Sequence, residues 1–294
     1  MPDTVVLKLI GLSKYYGTSR GIIDLNLEVK QGEIFGYLGP NGAGKTTTIK
    51  ILLDFIRASQ GTVRIFGMDS HLDSVSIRRK IGYLATSPVL YENLSGNEFL
   101  TYCMNIKGHE GNIQLRELAE RLDCDLDSKI ATLSHGNKQK IAVLRALVHK
   151  PELIIMDEPT TGLDPIAQNE FEAIIKEMAS EGSTILFSSH VLSEVEHLCD
   201  RVAIIGDGKL IAVEEISNLK SKQVRILNIT FKDNIAIQAF ENVRGVKNIE
   251  ILKNKLKCEI SGPIDELIKT IANFEVRNIS IDEPNLEEIF LSYY

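Results

Sequence analysis

Residues 5–10 and 22–29 are rich in apolar positions that alternate in part with polar ones, which predicts two strands. Residues 34–38 are a short continuous apolar run entering a glycine-rich loop. Residues 46–55 then take helical spacing, and 62–65 follow Gly61 as another strand. From about 90 to 150 no stretch reads as a strand and several read as helices. After Gly136 the apolar side chains Ile141, Leu144, Ala146 and Leu147 fall on one helical stripe. Residues 153–156 are apolar throughout, as in a strand buried on both faces of a parallel sheet. A helix after Pro165, a strand over 184–188, a helix after His190 and a strand over 202–205 follow. The Asp207-Gly208 turn then leads to a strand over 210–213. Strands alternating with helices predict an α/β fold.

The pattern changes near residue 220. Beyond it strands are expected over 225–231, 246–252, 256–261 and 276–281, and helices over 235–242, 264–272 and 286–293. This order is βαββαβ-like with one extra helix, a small α+β domain. The expected domains are 1–218, with a helical insert at about 88–150, and 219–294.

Composition narrows the function. Hydrophobic residues make up 44% of the 294 residues and charged ones 25%, which is the balance of a globular chain able to bury a sizeable core. The net charge of -7 argues against nucleic acid as a partner, because phosphate backbones select basic faces. Cys103, Cys124, Cys199 and Cys258 lie far apart, with no metal or redox spacing, and are expected to be reduced thiols. The N-terminus shows no secretory signal. The longest stretch free of Asp, Glu, Lys and Arg lies between Glu181 and Glu194 and contains serines and His190, so no membrane span is expected.

Two motifs carry chemistry. Gly39, Pro40, Asn41, Gly42, Ala43, Gly44, Lys45 and Thr46 match G-x-x-x-x-G-K-[ST], with a strand before and a helix after. Such a loop turns its backbone N–H groups inward, and the helix N-terminus adds orphan donors and partial positive charge. Lys45 is expected to reach the β- and γ-phosphates of ATP, Thr46 to hold Mg²⁺, and Thr47 to donate to the α-phosphate. At the end of the 153–156 run stand Asp157 and Glu158. Two acids at the end of a buried strand need a cation or a catalytic task to offset desolvation. Asp157 is expected in the Mg²⁺ shell, and Glu158 beside the attacking water as general base or orienter.

Between these motifs lies Leu133-Ser134-His135-Gly136-Asn137-Lys138-Gln139. Here the chain resembles the ATP-binding cassette (ABC) ATPases, whose signature reads L-S-G-G-Q. His135 and Asn137 depart from that consensus, while Ser134 and Gly136 keep it. The resemblance implies a P-loop NTPase of ABC type, with an antiparallel β subdomain and an α-helical insert. It implies that Ser134 and Gly136 face the γ-phosphate held by a second ABC ATPase subunit in a head-to-tail dimer. It also implies that Tyr16 stacks on adenine (Tyr15 is the rival), that Asp164 of Thr161-Gly-Leu-Asp164 crosses to the partner, and that His190 contacts the γ-phosphate. At the position where the family usually carries a glutamine touching Mg²⁺ and water stands Thr86, too short for that reach without a bridging water.

Beyond residue 218, Glu283-Pro-Asn-Leu-Glu-Glu-Ile-Phe290 resembles the tail of ATPase subunits from multidrug, sodium and peptide-antibiotic resistance exporters with a separate type-2 permease. A multi-spanning membrane permease is thus the implied partner, at the cytoplasmic face of the cell membrane. Its docking cleft is expected along 87–100, with Pro88, Leu90, Tyr91, Leu94 and Phe99 as apolar lining. The alternatives are a non-transport ABC ATPase, which usually pairs two cassettes or carries long coiled coils, and an ATP-sensing module, against which Glu158 and His190 argue.

Overall fold

A computed structural model describes residues 4–17, 19–108, 113–221, 225–260 and 262–282. The chain divides into two compact units, Met1–Glu214 and Glu215–Tyr294. The first begins with β1 (Val5–Tyr16), β2 (Ser19–Lys30), β3 (Ile34–Leu38), α1 (Lys45–Leu52), β4 (Gln60–Ile65), β5 (Met68–Asp69), α2 (Ser74–Lys80) and β6 (Ile81–Leu84). Three helices follow: α3 (Gly96–Lys107), α4 (Ile113–Arg121) and α5 (His135–Leu147). Then come β7 (Leu153–Asp157), α6 (Pro165–Ser180), β8 (Thr184–Ser189), α7 (Leu192–Leu198), β9 (Arg201–Gly206) and β10 (Lys209–Glu215).

The strands form two sheets, one of four in the order β2-β1-β4-β5 and one of six in the order β10-β9-β3-β8-β7-β6. The first sheet is antiparallel, and β6, β7, β8, β3 and β9 run parallel in the second. Strands β3, β7 and β8 are buried at every position, as their continuous apolar runs require. Leu7, Leu9 and Leu12 from one sheet and Phe35, Tyr37 and Ile155 from the other join one core around Ile49 and Leu52 of α1.

Boundaries differ from the sequence reading where tertiary contacts decide. β1 and β2 run to 12 residues each, extended through bulges that the alternation does not show. α1 stops at Leu52 rather than 55, because Asp54 takes a left-handed φ of 57°. Between 88 and 150 the described residues form helices and no strand.

The second unit contains α8 (Ile216–Ser221), β11 (Arg225–Phe231), β12 (Val246–Leu252), β13 (Lys255–Ile260), α9 (Asp265–Ile271) and β14 (Val276–Asp282). Its antiparallel sheet has the order β12-β13-β11-β14. The helix expected over 235–242 is only a 3-10 turn at Ile237–Ala239. The segment is held instead by burial of Phe240 and Val243, with Phe240 stacked on Phe274 at 5.7 Å. The expected helix over 286–293 and the 283–290 tail lie outside the described residues.

β6 and α5 approach so closely that a Cβ on Gly82 would lie 2.1 Å from the carbonyl oxygen of Ala146. Gly82→Ala is therefore expected to cost about 1–3 kcal/mol. Calorimetry should show a melting temperature of the first unit lower by roughly 2–12 °C, and an unchanged value would contradict this packing.

Candidate functional site

The site is built where β3 and β7 deliver their carboxyl ends beside each other across β8. Register pairs Leu38 with Ser189 and Asp157 with Ser188, so the loop after β3 and the acids ending β7 meet at one edge. This is where open parallel sheets place their ligand sites.

Glycine is required in the loop by space as well as by conformation. A Cβ on Gly39 would lie 2.3 Å from the Ile205 carbonyl oxygen. Gly44 caps α1 with φ 105°, and a Cβ there would lie 2.6 Å from Ile22. Below the loop, buried Tyr37 and Thr48 share a hydrogen bond of 3.0 Å, and Thr48 donates to the Gly44 carbonyl at 3.1 Å.

Asp157 is 1% exposed, yet both its oxygens are satisfied. Thr46 Oγ1 donates to Oδ2 at 2.8 Å and Ser188 Oγ to Oδ1 at 2.6 Å. Glu158 follows with φ 54°, a left-handed conformation that non-glycine residues adopt at a cost of about 1–3 kcal/mol. Its backbone N–H donates to the Ser188 carbonyl at 3.1 Å. Its carboxylate lies 3.3 Å from Lys45 Nζ on one side and hydrogen-bonds His190 Nδ1 on the other. Lys45 Nζ, 6% exposed, also donates to the Gly39 and Pro40 carbonyls at 2.6 and 3.3 Å.

Over these groups opens a cavity of about 450 Å³ lined by Pro40, Asn41, Gly42, Gly44, Lys45, Thr46, Thr47, Thr86, Glu158 and His190, with Tyr16 at its edge. Tyr16 is 48% exposed, as a stacking platform must be, and Tyr15 does not line the cavity. Gly39 and Ala43 support the loop from behind.

The structure does not bring the remaining predicted residues into this cavity. Ser134 caps α5, its Oγ accepting the Asn137 N–H at 3.2 Å. Asp164 caps α6, and those backbone hydrogen bonds, led by Ala167, hold its carboxyl below the usual carboxylate range. Gly136 and Gly162 form a close contact, with the His135 ring against Gly162. Ser134, Gly136 and Asp164 thus belong to a second surface.

Sequence reasoning missed Ser188, the donor to Asp157, and Arg20, Gly21 and Thr161 on the cavity wall. Only the register of β7 on β8 reveals Ser188. It also missed Glu194, which accepts from Thr160 and Ser189, each at 2.6 Å.

The residues fit a nucleotide triphosphate. At Gly42, where φ is 82°, a Cβ would meet nothing within 4 Å, so the loop backbone is open to approach there. Thr46 and Asp157 put a hydroxyl and a carboxylate side by side, a hard oxygen pair able to hold a divalent cation.

A second groove, of about 460 Å³, opens beside β6, α3 and α5. Of residues 87–100, where a docking cleft is expected, Ser87 and Val89 line this groove. Phe99 is buried under Tyr91, at 5.6 Å, and Pro88, Leu90 and Leu94 lie elsewhere. The rest of its apolar lining includes Phe55, Tyr83, Cys103, Ile106 and Val148, side chains distant in sequence.

A phosphate loop, a paired carboxylate strand end and a switch-like histidine on this sheet order define a P-loop ATPase of the cassette class. The sequence profile of the ABC transporter family matches residues 22–161. The chain is 36% identical to the bacitracin transport ATP-binding protein BcrA of Bacillus licheniformis over 98% of its length and 97% of that protein's. It is 31% identical to the linearmycin resistance ATP-binding protein LnrL of Bacillus subtilis, with the same coverage of 98% and 97%. A solved ATP-binding subunit of an ABC transporter superposes with a TM-score of 0.68 at 31% identity, over 73% of this chain and 92% of that one. The chain belongs to the ABC transporter family as an ATP-binding, ATP-hydrolysing subunit. Among the described residues no helix is long and apolar enough to cross a membrane.

Ser188→Ala removes a charge-assisted hydrogen bond from a buried carboxylate, worth about 1.5–3 kcal/mol. ATP turnover is expected to fall at least about tenfold; steady-state kinetics at saturating ATP would show it, and a wild-type rate would deny Ser188 this role.

Proposed function

We propose that this chain powers a separate multi-spanning permease that exports a peptide antibiotic or drug-like compound, through ATP-dependent closure of two head-to-tail cassettes. The convergence of Lys45, Thr46, Glu158 and His190 on one cavity, with Asp157 hydrogen-bonded to Thr46 behind it, carries the ATPase part of this reading. Similarity along nearly the whole chain to proteins named for bacitracin transport and linearmycin resistance supports the export part. The permease would hold the chain at the cytoplasmic face of the membrane, and the small C-terminal domain, 219–294, is accessory to the cassette, 1–218.

In this mechanism Lys45 leaves the carbonyls of Gly39 and Pro40 for the β- and γ-phosphates. Thr47 donates to the α-phosphate and Tyr16 stacks on the base. Thr46 and Asp157 hold Mg²⁺, which supplies charge neutralisation at the phosphate oxygens. Glu158 orients the attacking water and accepts its proton. His190 holds Glu158 on one side and faces the γ-phosphate. Ser134 and Gly136, at the N-terminus of α5, complete the partner's site, and Asp164 crosses beside them; their distance from this chain's own cavity supports that assignment. ATP drives the cycle through its higher affinity for the closed pair.

Glu158→Gln keeps the shape and removes the base. It is expected to lower kcat at least about 100-fold while ATP binding persists. Trapped with Mg-ATP in detergent-solubilised host membranes, this variant should co-purify with one multi-spanning protein. Ribosomes or DNA-bound proteins in its place would overturn the transport reading.

Thr86 lines the cavity but is short. Thr86→Gln is expected to raise ATP turnover several-fold in the assembled complex. If neither the rate nor its dependence on the permease changes, Thr86 does not limit hydrolysis.

A further inference from the structure

The groove beside β6 gathers a nucleophile, a base and an anion-binding group that ATP hydrolysis does not use. Lys107 of α3, His149 after α5, Arg145 of α5 and Arg78 of α2 line it, among apolar side chains that include Phe55 and Ile106. Among the described residues no carboxylate lines it. Lys107 Nζ donates to the Ile81 carbonyl at 2.5 Å and meets His149 Nε2 at 2.7 Å, an imidazole nitrogen placed to take its proton.

In these surroundings Lys107 is an amine nucleophile more than a fixed charge. Loss of water pushes its ammonium down to about 8; Cys103 offsets part of this, and the like charge of Arg145 lowers it further. At pH 7.5 about a quarter of such amines are unprotonated, against about one in a thousand for an ordinary lysine. Burial beside another cation is a general way of activating a lysine. Cys103 is no rival, because burial pushes its thiol up, and burial raises the Tyr83 hydroxyl of β6 as well. Arg145 is lowered by burial, yet a guanidinium stays charged. It donates to the Val89 carbonyl at 3.2 Å, and its planar fork matches the oxygens of a phosphate.

We propose that Lys107 is an acylation site, taking the acyl group of an acyl phosphate that Arg145 holds in this groove, with His149 receiving the proton. The Nζ lone pair bonds to the carbonyl carbon. The bond from that carbon to the phosphate oxygen breaks, and its electron pair leaves with phosphate. The Nζ proton passes to His149 Nε2. The products are an amide on Lys107 and inorganic phosphate, whose departing charge Arg145 stabilises. The new acyl group lies in the groove that Ala85 and Ser87 also line, on either side of Thr86 of the nucleotide cavity.

The test is to incubate the full-length protein with acetyl phosphate at about pH 7.5 and follow acetylation by peptide mass spectrometry. Lys107 should react at least about tenfold faster than exposed Lys269. Its rate should level off above about pH 8, whereas that of an ordinary lysine rises to about pH 10. The N-hydroxysuccinimide ester of acetic acid, an uncharged donor, should favour Lys107 over Lys269 at least about fivefold less, because it offers Arg145 no anion. Arg145→Gln should abolish that difference between the donors, and His149→Gln should slow both reactions at Lys107 several-fold. Both variants are compared at unchanged melting temperature; if either folds poorly, the two donors on the unaltered protein decide. Acetylation of Lys107 no faster than of Lys269, or without preference for acetyl phosphate, overturns the proposal. An unaltered rate in folded His149→Gln overturns the proton transfer.

Discussion

The arrangement of this molecule depends on how one buried carboxylate is accommodated. Asp157 has almost no access to water, and an ionised carboxylate in that position costs several kcal/mol unless protein groups replace its hydration. Two hydroxyls do so, Thr46 from the first turn of α1 and Ser188 from the end of β8. Satisfying Asp157 therefore fixes three elements at once: β7 in register with β8, the phosphate loop over their ends, and α1 at the angle that brings Thr46 across. Glu158 then has to leave the sheet, and its left-handed backbone aims it between Lys45 and His190. The strain at that residue is sustained by burial of β7 on both sides.

This dependence explains what the sequence made legible. The loop glycines, Lys45, Thr46 and the Asp157-Glu158 pair are contiguous, so their chemistry is visible before any fold is known. The buried strands are equally plain, since residues 34–38 and 153–156 have no polar face to hide. Where a contact spans long sequence distance, legibility fails. Ser188 is one of two adjacent serines, and only strand register selects it for Asp157. The 235–242 segment has apolar residues enough for a helix, but Phe240 is claimed by Phe274 from beyond the next three elements. The apolar residues of 87–100 were open to two fates, and the core took Phe99 while the surface kept Val89. Choosing between them requires knowing where α3 lies.

The second surface, around Ser134, is joined to the catalytic edge by a continuous set of contacts. Gln139, one helical turn into α5, donates to the Pro159 carbonyl at 3.1 Å. The next residue, Thr160, donates to Glu194, and Glu194 also accepts from Ser189, the neighbour of His190. The His135 ring packs on Gly162 within the same turn. A displacement of the α5 N-terminus thus bears on the backbone beside Glu158 and on the strand end that carries His190. These contacts give a short, hydrogen-bonded route along which a partner seated at Ser134 would act on Glu158 and His190.

The groove beside β6 reaches the same groups by a different geometry. After β6 the side chains alternate: Ala85 and Ser87 line the groove, and Thr86 between them lines the nucleotide cavity. Three consecutive residues therefore form a wall shared by both spaces, and anything that fills the groove bears directly on the backbone that positions Thr86. A glutamine there would reach the catalytic centre through its own length whatever the groove contained. A threonine reaches it only if the wall moves inward.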